Sequence, residues 1–151
     1  MHEPAPAPPI GSDPIVEMTR KPFVLFVCRH NTGRSQMAEA YLRAVLGDRV
    51  TVASAGTVAA DRPDPGVVAI MAEDGLDISQ ARPKLIDSGQ VEAADYIITM
   101  GCDVEGVPRI DDDWGLPDPK GQSIERVREI RDLVKAKVDL LTSRLFTHDD
   151  T

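Results

Sequence analysis

An unbroken apolar run, FVLFV at Phe23 to Val27, ends in Cys28 and gives way within six residues to a helical pattern, and few folds accommodate that succession. A strand with no polar alternation is covered on both faces, which is the signature of a parallel strand inside an α/β sheet. The strand is read from Pro22 to Cys28. From Arg34 or Ser35 onward, Met37, Ala38, Tyr41, Leu42, Val45 and Leu46 recur at spacings of three and four, and Gly47 supplies a stop. In an open parallel sheet, ligands bind beyond the carboxyl ends of the strands, so Cys28 stands where a site belongs.

The rest of the chain repeats the alternation. Val50 to Ser54 reads as a second strand, closed by Ala55-Gly56. A helix is predicted from about Pro65 to Glu73, with Val67, Val68, Ile70 and Met71 as its apolar side and Gly75 beyond its end. The segment SGQVEAA is a weaker helical candidate before DYIITM, which has strand composition. The longest helix follows, with Ser123 as N-cap and Ile124, Val127, Ile130, Val134, Val138, Leu141 and Leu145 in register. Alternating strands and helices imply an α/β, three-layer arrangement, a parallel sheet with helices on both faces.

The loop from Cys28 to Ser35 is short enough to curl its backbone N–H groups toward one point, and the helix that follows adds the positive end of its dipole. Cys28, Arg29, His30, Asn31, Thr32, Gly33, Arg34 and Ser35 would line such a loop. Four oxygens of a tetrahedral anion are satisfied there, and the same environment suits a sulfur nucleophile at Cys28. Arg34 serves as bidentate clamp and Ser35 as hydroxyl donor to the sulfur. An inert core thiol beside a surface arginine is the competing reading; the strand before, Gly33 within and the helix after weigh against it. His30 either assists the sulfur, pairs with a substrate oxygen, or contributes only its backbone.

Such chemistry also needs a proton donor for a departing oxygen. Asp118 stands between Pro117 and Pro119, which stiffen its backbone. Asp111, Asp112 and Asp113 read as a solvated acidic loop, and Trp114 as its packing anchor or as a wall of the pocket.

Composition narrows the classes. At 151 residues the chain fits one domain, expected over residues 21–147, with a Pro-rich tail at 1–20 and a short one at 148–151. A formal charge of −8 argues against nucleic acid as partner, and no apolar run is long enough for a membrane span. Two cysteines, Cys28 and Cys102, cannot build a disulfide framework, so a reducing, cytoplasmic setting is expected. The three histidines do not cluster with the cysteines at metal-ligand spacing, and no metal site is expected.

The segment VCRHNTGRSQMA, with Ser54-Ala55-Gly56, Leu76-Asp77-Ile78-Ser79 and WGLPDPKGQSIERVREIRDLV in the same order, resembles the arsenate reductases built on the low-molecular-weight protein tyrosine phosphatase fold. The resemblance spans nearly all of residues 22–146. It implies a four-stranded parallel sheet with flanking helices, Cys28 as nucleophile, Arg34 in the oxyanion loop and Asp118 as the acid. It also implies a cytoplasmic enzyme of arsenical detoxification that holds arsenate or phosphate and needs a thiol cosubstrate, with no resident cofactor. The phosphatase branch is the competitor, hydrolysing aryl phosphates through a phosphocysteine. Lys120-Gly121 after Asp118-Pro119, and an aromatic content of only 4%, favour the reductase. A non-catalytic oxyanion or redox sensor is a third reading, which has no use for the acid.

Two departures from the family pattern refine this. Thioredoxin-coupled relatives resemble one another in a further cysteine pair after the third strand; Cys102 matches the first of that pair, but Val107 stands where the second belongs, before Pro108. The expected electron donor is therefore external: mycothiol, glutathione, or a thioredoxin or mycoredoxin system; Cys102 is the candidate redox residue of the alternative, in which it traps Cys28 as an internal disulfide. The resemblance also implies a cation-like site at Asn31, Glu39 and Ser54, where the family's aspartate is replaced by Lys84, whose ammonium is expected to take the place of potassium.

Overall fold

The computed structural model describes residues 21–101 and 106–146. The expected tails at 1–20 and 148–151, and Cys102, lie outside these described residues. Strand β1 is Phe23–Cys28, helix α1 Arg34–Leu46, β2 Thr51–Gly56, α2 Pro65–Glu73, α3 Ser88–Ala93, β3 Tyr96–Thr99, β4 Asp112–Asp113 and α4 Ile124–Leu145. The four strands form one parallel sheet in the order β2-β1-β3-β4. Strand order across the sheet reverses at β1, which lies between its successor β2 and the later β3. The carboxyl end of β1 is thus the topological switch point, where open parallel sheets leave a crevice.

Alternate residues of β1 supply two cores. Val24, Phe26 and Cys28 face the larger one, built with α1, α2 and α4, while Leu25 and Val27 face a smaller one with Val91, Ala94 and Ile97. The helical periodicities account for most of this packing: Val127, Ile130, Val134, Val138 and Leu141 are buried along α4. Two expected core positions lie outside it, Val45 on α1 and Ile124 at the start of α4, both exposed. Each stands at the margin of its helix's apolar stripe, where period alone cannot tell the core from its rim. Helix α2 is capped by Asp64, whose carboxylate accepts the Gly66 N–H at 2.8 Å, and α4 by Ser123, whose hydroxyl accepts the Arg126 N–H at 3.1 Å.

The acidic run departs from the solvated loop expected of it. Asp112–Asp113 pairs with β3 as the fourth strand. The Asp111 carboxylate accepts the Ile97 N–H at 2.8 Å, Asp113 the Thr99 hydroxyl at 2.9 Å, and Asp112 the Trp114 indole N–H at 3.3 Å. Asp111 thus satisfies a backbone N–H of β3, while Asp112 and Asp113 fasten side chains beside it. Trp114 is buried, its ring tilted against Phe26 with centroids 5.3 Å apart. It is an anchor of the fold rather than a wall of the site. Among the described residues, no helix is long and apolar enough to cross a membrane.

Candidate active site

Cys28 lies at the end of β1 opposite Gly56 of β2. A Cβ at Gly56 would fall 2.8 Å from the Arg29 oxygen and 2.9 Å from the Asn31 nitrogen, so only glycine lets the loop settle over β2. The loop is then stitched down: the Arg29 carbonyl accepts the N–H groups of Thr57 and Val58, each at 2.8 Å, and the Thr32 carbonyl that of Asp64 at 2.9 Å.

Asn31 is the pivot. It is fully buried and adopts φ 58°, a left-handed conformation that asparagine tolerates better than most residues. Its backbone N–H points at the Cys28 Sγ at 3.3 Å. Its side-chain Oδ1 accepts the Lys84 backbone N–H at 3.0 Å and the Gln36 Nε2 at 3.1 Å. A backbone amide can only donate, which fixes the orientation of the Asn31 amide. Nδ2 therefore donates to the Ser35 Oγ at 2.8 Å. With its oxygen so occupied, the Ser35 hydroxyl has its hydrogen free for the Cys28 Sγ, 2.8 Å away. The polarity of the whole chain, from Lys84 to the sulfur, is set by one backbone donor.

Arg34 opens α1 and is buried. Its Nη1 donates to two carbonyls, Met100 at 3.2 Å and Leu116 at 2.8 Å, and its Nη2 lies 3.8 Å from the Asp118 carboxylate. Among the described residues no acceptor engages Nε, so the Nε–Nη2 edge is open to a bidentate partner. Asp118 is exposed over 57% of its side chain. It accepts the Lys120 N–H at 3.0 Å. Pro119 is buried against Gly33, where a Cβ would come within 3.0 Å of the proline ring. Loop and acid are therefore held in direct contact.

The remaining expected residues divide. The carbonyls of Arg29 and Thr32 hold the loop down, while among the described residues the imidazole of His30 has no hydrogen-bond partner. The cation-like cluster is only partly assembled: the Ser54 hydroxyl donates to Glu39, but the Lys84 ammonium turns to the Arg82 carbonyl at 3.3 Å. Lys84 serves Asn31 through its backbone instead. The cation beside Glu39 is Arg43, at 2.8 Å, which also donates to the Val52 carbonyl at 2.9 Å. The spacing of Glu39 and Arg43, four apart on a helix, is the sequence signal for it. Gln36 is a second site residue that the sequence pattern does not single out; it is buried and also donates to the Asn31 carbonyl at 3.1 Å. A glutamine among the inward residues of a first helical turn is the only mark it leaves. Among the described residues no three His, Cys, Asp or Glu side chains gather as a metal cluster.

Residues 23–149 match the family model of the low molecular weight phosphotyrosine protein phosphatases. The chain belongs to that family. Within it, the protein is 41% identical over 123 residues to a provisionally named arsenate reductase of Halobacterium salinarum, covering 75% of this chain and 85% of that one. It is 36% identical to the glutaredoxin arsenate reductase of Synechocystis sp., covering 81% and 97%. Among solved structures, an arsenate reductase in the phosphate binding state superposes with a TM-score of 0.74 at 36% identity, covering 82% of this chain and 98% of that one. The thioredoxin-dependent arsenate reductase of Corynebacterium glutamicum superposes with a TM-score of 0.74 at 35% identity; 86% of this chain is covered but 64% of that one. The four-stranded parallel sheet of the family is the one expected from the sequence.

Proposed function

We propose that this protein is an arsenate reductase that draws its second thiol from outside the chain. The observation that carries the reading is the meeting of a hydrogen-bonded sulfur, Cys28, and a clasped guanidinium, Arg34, at the switch point of the sheet. Its relatives named as arsenate reductases support the same choice.

Arsenate would lie in the loop of residues 28–35 with two oxygens on the Nε–Nη2 edge of Arg34. Cys28 attacks arsenic, a sulfur–arsenic bond forms, and one oxygen leaves as water after protonation by Asp118. A second thiol then attacks the Cys28 sulfur. The sulfur–arsenic electron pair stays on arsenic, which becomes arsenite, and the two sulfurs are left as a disulfide. Further thiol restores Cys28. Both electrons come from thiols, so the step balances without another reductant.

The second thiol is an external one. No cysteine stands at Val107, and that side chain packs against the smaller core instead. Mycothiol, glutathione and thioredoxin- or glutaredoxin-type proteins are the candidate donors, the last two in keeping with the names of two relatives. The setting is the cytoplasm, with neither nucleic acid nor membrane as partner. Arg43 beside Glu39 takes the part expected of Lys84, making turnover indifferent to potassium. A clear gain in oxyanion affinity on exchanging sodium for potassium would overturn that point.

Hydrolysis of aryl phosphates is the second reading, favoured by the family's phosphatase members and by the acid at Asp118. Turnover of purified protein separates the two: arsenite release from arsenate with mycothiol, glutathione or thioredoxin systems, against p-nitrophenyl phosphate cleavage. Thiol-dependent arsenite release is expected. Fast phosphate ester cleavage without it would reverse the order.

A further inference from the structure

Gly101 follows the end of β3 with φ at 94°, in the region L side chains rarely adopt. A Cβ there would fall 2.5 Å from the Leu116 nitrogen and 2.7 Å from both the carbonyl carbon and the Cα of Gly115. All three are backbone atoms that cannot rotate away. The segment passing over Gly101 is held to β3 by two bonds, Trp114 N–H to the Thr99 carbonyl at 2.9 Å and Leu116 N–H to the Met100 carbonyl at 3.1 Å.

Arg34 is tied to this crossing. Its Nη1 reaches Met100 and Leu116 at once, two carbonyls 16 residues apart in sequence that meet where the two backbones touch at Gly101. Two residues beyond Leu116 is Asp118, beside Nη2. The crossing therefore sets both the direction of the guanidinium and the place of the acid.

We propose that Gly101 is a positioning residue for oxyanion binding: its missing side chain lets the Met100 and Leu116 carbonyls converge on Arg34, which aims the free guanidinium edge at the loop and brings Asp118 beside it. The arsenate step rests on the function proposed above. The binding claim applies to any tetrahedral oxyanion and is tested without turnover, so its failure is separate from that of the reductase reading.

The probe is inorganic phosphate, read as protection of Cys28 from iodoacetamide by mass of the Cys28 peptide. In Gly101→Ala the half-protecting phosphate concentration should rise about tenfold or more, the scale of a misplacement near 1 Å at a binding group. Alkylation without phosphate should stay within about twofold, because Ser35 and Asn31 hold the sulfur independently of Gly101. Gly75→Ala is the control: φ is also positive, at 78°, with nothing within 4 Å of the added Cβ, so it carries the backbone cost alone and should leave protection unaltered. In Arg34→Lys, adding Gly101→Ala should weaken protection by no more than about twofold if Gly101 acts through Arg34. Unaltered protection in folded Gly101→Ala, or a full further loss in the double variant, overturns the proposal.

Gly101→Asn gives a second variant that tolerates the left-handed backbone yet keeps the clashing Cβ; it should behave as alanine does, and wild-type protection there would overturn the role of the close approach. In the unsubstituted protein, the Arg34 guanidinium should show slowed Nη rotation by nitrogen-15 NMR before any phosphate is added. Free rotation would refute the two-carbonyl clasp.

Discussion

Two polar clusters in this molecule are built on opposite principles. Around Cys28 the side chains of Asn31 and Ser35 are buried, and the bonds run in series from the Lys84 N–H through Asn31 and Ser35 to the sulfur. Along the seam of α1, α2 and α4 they are half-exposed and connected in parallel. Tyr41 donates to Asp74, which also meets Arg131 at 3.7 Å and Lys135 at 3.4 Å. Glu73 meets Arg128 at 2.7 Å and Arg131 at 3.1 Å. In a series each member orients the next, so removing one side chain leaves its buried partners unsatisfied and misdirected. A parallel cluster in contact with water replaces a lost partner. The loop should therefore be fragile in function and the seam tolerant.

The charge shifts in the seam agree with that description. Burial first, and then the bond to Asp74, push the Tyr41 phenol well above its ordinary range. The Tyr41 hydroxyl in turn holds the Asp74 carboxyl below the usual carboxylate range, and Arg128 does the same for Glu73.

The largest effect is expected at Cys28, the proposed nucleophile. Cys28→Ser should lower arsenite formation by about a thousandfold or more, read by arsenic speciation after turnover. Retained turnover would show that another group carries the chemistry. Arg34→Lys should weaken phosphate protection of Cys28 by roughly ten- to a hundredfold, since an ammonium cannot present two parallel N–H groups. Asn31→Ala comes next, with alkylation of Cys28 slowed by about tenfold as the donors to sulfur lose their orientation. Gln36→Leu should show the same effect in weaker form, and an unchanged alkylation rate would remove Gln36 from the series.

The seam offers the smallest effects. Tyr41→Phe should cost about 1 kcal/mol, the ordinary worth of one hydrogen bond, with arsenate turnover unchanged. It should also change the pH profile of stability, measured by urea midpoints. Because the folded Asp74 carboxyl lies below its unfolded value of about 4, its contribution is present above that pH and is lost as pH falls through the folded value. Removing the hydroxyl should flatten this acid limb. On the alkaline side, the Tyr41 contribution is full below the unfolded phenol value of about 10 and is lost as pH rises toward the folded one, so that limb should flatten as well. A steeper acid limb in the phenylalanine variant would contradict the assignment.

Much of the fold and the site is legible in the sequence. Apolar continuity marks β1, period marks α1 and α4, and the order of landmarks points to the family. Three features escape it for a common reason. The acidic run forms β4, the Lys84 ammonium turns away from Glu39, and Gln36 enters the site, because each depends on which backbone group lies opposite. Asp111 finds Ile97 fourteen residues away, and Lys84 finds Asn31 fifty-three residues away. Local pattern carries no information at that range.

The α/β class, the place of the thiol at a strand end and the chemical kinds of group around it can be read from the residues alone. These follow from periodicity and side-chain type, which are properties of adjacent residues. The directions depend on the folded chain: which way the Ser35 hydroxyl points, which carbonyls hold Arg34, and which cation answers Glu39. Direction in a hydrogen-bonded site is set by backbone donors and acceptors brought together across the sheet, at Lys84, Met100 and Leu116, and backbone groups are identical at every position of a sequence until folding chooses among them.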